Sequence, residues 1–66
     1  MRIQLNGEAR DFPAPLNLSE LLSAAGYGDR RVAVEVNLEI IAKSRYREHT
    51  LHEGDRVEII QAIGGG

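Results

Sequence analysis

The chain contains no cysteine, and at 66 residues this restricts its folds more than any other feature of the sequence. A domain this small buries a modest fraction of its surface and is only marginally stable. Small scaffolds commonly add disulfides or a metal as staples. Here no disulfide can form, and no thiol is present to act as nucleophile, redox centre or zinc ligand. The fold must therefore rest on packing alone, which calls for well-paired strands with a helix laid over one face. The ten acidic and eight basic residues are interspersed and leave a net charge of −2, which argues against non-specific nucleic-acid binding. No apolar stretch approaches the length that spans a membrane. The opening "MRIQLNGE" alternates where a secretory signal would carry an apolar core. A cytoplasmic protein is the expectation.

Local patterns place the elements. Ile3 and Leu5 alternate with Arg2 and Gln4, the mark of a half-buried strand. Asn6-Gly7 follows, and this pair suits a type I′ hairpin turn, which needs positive φ at both central residues. "EARDF" is the returning strand, ended by Pro13 and Pro15, which cannot donate to a ladder. Asn17 with Glu20 reads as a capping box. Leu18, Leu21, Leu22 and Ala25 then form one apolar helix face over residues 18–25, and Gly26 stands where a left-handed residue stops the helix. "RVAVEV" alternates Val32, Val34 and Val36 against Ala33 and Glu35 as a further strand. "NLE" is a turn, "IIA" a short strand and "KSRYREH" an irregular crossover holding one helical turn. After the turn "HEGD", "RVEIIQAI" is the last strand, with Val57 and Ile59 inward and Glu58 outward. Two hairpins and one helix across a mixed sheet of four to five strands make an α+β domain. It is expected over residues 1–63, with a flexible glycine tail at 64–66.

Few residues suggest catalysis. Ser19, Ser23 and Ser44 are the only serines, and the first two lie in the capped helix, where a structural or solvated role suffices. No nucleophile elbow or phosphate-cradling glycine motif is present. His49 and His52, near Glu53 and Asp55, invite a metal reading. Gly54 and the strand after it argue instead for a loop and turn with solvated imidazoles, and no metal site is expected. Phe12, Tyr27 and Tyr46 are too scattered for a base-stacking platform and read as core or core-rim packing. Arg30-Arg31 reads as a solvated strand entrance, with a rim contact to an acidic partner as the alternative.

Two features point to function. Alternation leaves Ile60 on the outer face, with Ala62 after it and Ile63 opening the tail. Either this is a docking surface or a local bulge turns Ile60 into the core. The second feature is Gly64-Gly65-Gly66. Four residues from Ile63 reach about 13 Å when stretched. Without Cβ atoms the three glycines can thread a tunnel that excludes every other residue. The expected reactive group is the α-carboxylate of Gly66. A partner holding ATP could turn it into an acyl-adenylate, and a sulfur nucleophile could displace the adenylate. A protein lacking cysteine could in this way carry sulfur as a terminal thiocarboxylate.

In "IQLNGE", "LSELL", "VAVEVNLEII", "LHEGDRVEII" and the closing "GG" of residues 65 and 66, the chain resembles the ThiS family of sulfur carrier proteins over its whole length. The resemblance implies a ubiquitin-like β-grasp fold related to MoaD. It implies that a ThiF-like enzyme adenylates the carboxylate of Gly66 and that a persulfide protein supplies the sulfur. Thiazole synthase (ThiG) then takes that sulfur into the thiazole of thiamine. It carries Gly65 over as the second glycine of the motif. On this reading the chain is a protein cosubstrate with no tightly bound cofactor, not an enzyme. Leu38, in a turn where a polar residue or glycine is expected, and "AKSRY", without the proline-arginine pair often found there, depart from the pattern. The alternatives are a molybdopterin synthase small subunit (MoaD) or other MoaD-like carrier, a β-grasp interaction module with an idle tail, and a protein modifier conjugated through Gly66.

Overall fold

Asn6 and Gly7 adopt φ of 50° and 84°, the left-handed geometry that matches a two-residue turn to strand twist. In the computed structural model, which describes residues 1–28 and 30–61, this turn joins β1 (Arg2–Leu5) to β2 (Glu8–Asp11). The helix α1 (Leu18–Ala24) comes next, followed by β3 (Val32–Val36) and β4 (Glu39–Ile41). A 3₁₀ turn at Lys43–Arg45 leads to β5 (Arg56–Gln61). The five strands form one sheet in the order β2-β1-β5-β3-β4. β1 and β5 pair in parallel at its centre, and the other pairs are antiparallel. The sequence reading had this architecture, a mixed sheet with one helix across it.

The helix starts and stops where the sequence placed its signals. The Asn17 side chain accepts from the Glu20 N–H at 2.8 Å, and the Glu20 carboxylate accepts from the Asn17 N–H at 2.8 Å. At the other end Gly26 takes φ 90°. The Tyr27 N–H reaches the Leu22 carbonyl at 2.9 Å and the Gly26 N–H reaches that of Ser23 at 3.2 Å, the paired bonds of a Schellman stop. Ala25 is therefore the cap and not the last helical residue. A helix of seven residues does not persist alone in water. It is held because Leu18, Leu21 and Leu22 are buried against Ile3, Leu5, Val34, Val36, Val57 and Ile59 from the sheet. Each such side chain contributes about 1.5–3 kcal/mol on leaving water. Phe12, Leu16, Tyr46 and Leu51 close the ends of this layer.

The second hairpin differs from expectation by one residue. Its turn is Asn37-Leu38 alone, with φ of 51° and 71°. Glu39 already pairs with Val36, so β4 begins there and ends at Ile41. The short crossover turn falls inside the stretch expected to hold it.

Candidate functional site

Register decides which face each residue of the last strand shows. β5 pairs with β3 without interruption: Val34 with Ile59, Ala33 with Ile60 and Val32 with Gln61. No bulge occurs in this run, so of the two accounts of Ile60 the inward turn is excluded. Val34 and Ile59 are buried, whereas Ile60 is 59% exposed on the face away from the helix. Ile40 pairs with Glu35, which in turn pairs with Glu58, so these three share that face with Ile60 and Ala33. Ile40 is 76% exposed and lies two strand spacings from β5, about 10 Å. Leu38, at the hairpin tip beyond it, is 77% exposed. An uncovered sheet face bearing Ile40 and Ile60 beside Glu35 and Glu58 is amphipathic, a composition that suits reversible docking better than permanent burial.

The sequence reading found Ile60 through its place in the alternation and missed Ile40. Three apolar or half-apolar residues in "IIA" carry no clear period, and only pairing with Glu35 assigns Ile40 outward. Leu38 was visible as an oddity in a turn but not as part of an exposed apolar strip. Ala62, Ile63, Gly64, Gly65 and Gly66 lie outside the described residues.

Several polar contacts among the described residues tie the fold together. Arg2 Nε and Nη2 donate to Asp11 at 3.0 and 3.2 Å across β1 and β2. That guanidinium holds the Asp11 carboxyl below the usual carboxylate range. Burial pushes the Tyr46 phenol up. His49 receives the Leu18 N–H on its backbone carbonyl at 2.9 Å, and the exposed His52 donates its N–H to Asp55 at 2.8 Å. Among the described residues no three His, Cys, Asp or Glu side chains converge as a metal site. Ser19 is half-buried in the helix, and Ser23 and Ser44 are exposed. Phe12 and Tyr46 are in the core and Tyr27 packs against it. No helix among the described residues is long and apolar enough to cross a membrane.

A five-stranded sheet gripping one helix, with parallel strands at its centre and the last of them leading toward a glycine segment, is a ubiquitin-like β-grasp domain. The comparisons with known proteins are more specific. Residues 3–66 match the ThiS family, and the chain belongs to it. It is 37% identical over 65 residues to the sulfur carrier protein ThiS of Bacillus subtilis, covering 97% of this chain and 98% of that one. The crystal structure of the thiamine biosynthesis protein ThiS from Geobacter metallireducens superposes with a TM-score of 0.85 at 33% identity, each chain fully covered. The whole chain is also 46% identical to part of a thiazole synthase of Paramagnetospirillum magneticum. It spans only 20% of the length of that protein.

Proposed function

We propose that this chain is a sulfur carrier of thiamine biosynthesis. The observation that carries the reading is that the family match runs from residue 3 through residue 66 and so takes in the glycines that follow β5 in the chain. In this reading the reactive group is the α-carboxylate of Gly66. A ThiF-like enzyme uses ATP to adenylate it with release of pyrophosphate. The terminal sulfur of a persulfide protein displaces AMP to give an acyl disulfide, and a thiol of the activating system cleaves its S–S bond, leaving the thiocarboxylate on the carrier and a disulfide on the donor side. Thiazole synthase passes the sulfur to its acceptor, and an oxygen from that acceptor or from water replaces it, so the carrier returns as the carboxylate. The likeness to a segment of a thiazole synthase supports that acceptor. Gly64 and Gly65 let the tail enter an active site too narrow for side chains, and Ile60, Ala62 and Ile63 make the apolar contact at its root. The chain acts as a cosubstrate, with no catalytic residue and no tightly bound cofactor of its own.

Intact mass spectrometry after incubation with ATP, a sulfur donor and the ThiF-like enzyme tests this. The expected result is a gain equal to one oxygen exchanged for sulfur, localised to Gly66. Deleting Gly65 and Gly66 abolishes the gain, and Gly65→Ala strongly reduces it. An unchanged mass with an enzyme shown to be active on another carrier overturns the reading.

A further inference from the structure

A groove opens between α1, the entry to β3 and the crossover after β4. Four cations line it: Arg30 and Arg31 from the entry, and Lys43 and Arg47 from the crossover. All four are exposed. They are half of the eight Lys and Arg in a chain whose net charge is −2, so the charge is segregated and not simply abundant. Among the described residues no carboxylate lines the groove. The ion pair found among those residues, Arg2 with Asp11, lies on β1 and β2. Leu22, Val32 and Ile60 contribute apolar surface to the same groove. Gathering four like charges along one groove costs self-repulsion that an opposite surface relieves.

We propose that this groove receives an acidic segment of the enzyme that activates Gly66, with apolar side chains of that segment set against Leu22 and Val32 on the helix side and against Ile60 on the outer side. The inference rests on the sulfur-carrier reading and adds where the activating enzyme grips. Ile60 belongs both to the groove and to the outer face of β5, so the two surfaces are continuous. A segment seated there sits beside the strand that precedes the glycines in the chain. The cations remain in water and so act mainly by steering encounter, an effect that salt screens. A nucleic acid fits the groove poorly, because its one aromatic residue, Tyr46, is buried and offers no face for stacking.

The test measures ATP–pyrophosphate exchange by the ThiF-like enzyme at varied carrier concentration. The Arg31→Glu/Arg47→Glu variant is expected to raise KM about tenfold with kcat little changed. Arg31→Lys/Arg47→Lys, which keeps the charge, stays close to the starting protein. The KM of the unaltered chain is expected to rise between about 50 and about 500 mM salt, while that of the charge-reversed variant changes little. Circular dichroism checks that the variants are folded. If charge reversal disturbs the fold, the salt series on the unaltered chain decides alone. A KM insensitive to salt, or to charge reversal in folded protein, overturns the groove assignment and leaves the carrier reading standing. No exchange with the unaltered chain, by an enzyme active on another carrier, overturns both.

Discussion

The two hairpin turns share a geometry and differ in one residue. Asn6-Gly7 and Asn37-Leu38 both place two successive residues at positive φ. Both asparagines also reach the last strand. Asn6 Oδ1 accepts from the Ile59 N–H at 2.7 Å, and Asn37 Oδ1 accepts from the Arg56 N–H at 2.9 Å. The strand that leads to the glycines is thus clamped from both sides by turn residues. At the second position the turns part. Gly7 has no Cβ to strain, whereas Leu38 holds a left-handed conformation that costs an L-residue about 1–2 kcal/mol. The first turn is a local preference, and the second is imposed by the pairing of β3 with β4. The imposed turn is the one that displays an apolar side chain to solvent.

Substitutions can break this comparison or sharpen it. The largest effect is expected from Asn6→Ala, which leaves the partly buried Ile59 N–H without its acceptor and should cost about 2 kcal/mol in urea denaturation. Asn37→Ala removes a more exposed bond and should cost about 1 kcal/mol. Equal losses would mean that the two clamps matter alike despite their different burial. Gly7→Ala comes next. A Cβ there meets no atom within 4 Å, so the loss of about 1 kcal/mol is conformational alone.

Leu38→Gly has the opposite sign. Relief of the left-handed strain should raise stability by about 0.5–1 kcal/mol, with the sheet unchanged by NMR. A destabilised variant would mean that Leu38 makes contacts that outweigh its backbone conformation. The smallest effect belongs to the exposed Arg2–Asp11 pair. Asp11 titrates lower in the folded protein than in the unfolded chain. Its contribution is therefore present above the ordinary carboxylate range and is lost as pH falls through the folded value. Acid unfolding of Asp11→Asn compared with the unaltered chain should differ only slightly, as surface pairs contribute little.

Much of the fold was legible because its signals are short-range. An asparagine-glycine pair, a capping box, a stop glycine and alternating valines each act within about four residues, and each formed where it was expected. The outward direction of Ile60 was legible too, as half of an alternation. Whether a bulge reversed it was not, because a bulge depends on how β3 lies against β5. The exposure of Ile40 and the true length of the second turn were hidden for the same reason.

The sequence by itself determined the local elements, the apolar helix face and, through ordered short stretches along its length, the family. Only the tertiary structure decided that β1 and β5 run parallel at the centre and that Ile40, Ala33 and Ile60 share one uncovered face. It also brought Arg30 and Arg31 beside Lys43 and Arg47, residues separated by a hairpin in the chain. The division follows from range. Turn and cap chemistry is settled by neighbours in the chain, whereas strand order and the meeting of distant charges depend on which surfaces can be buried together.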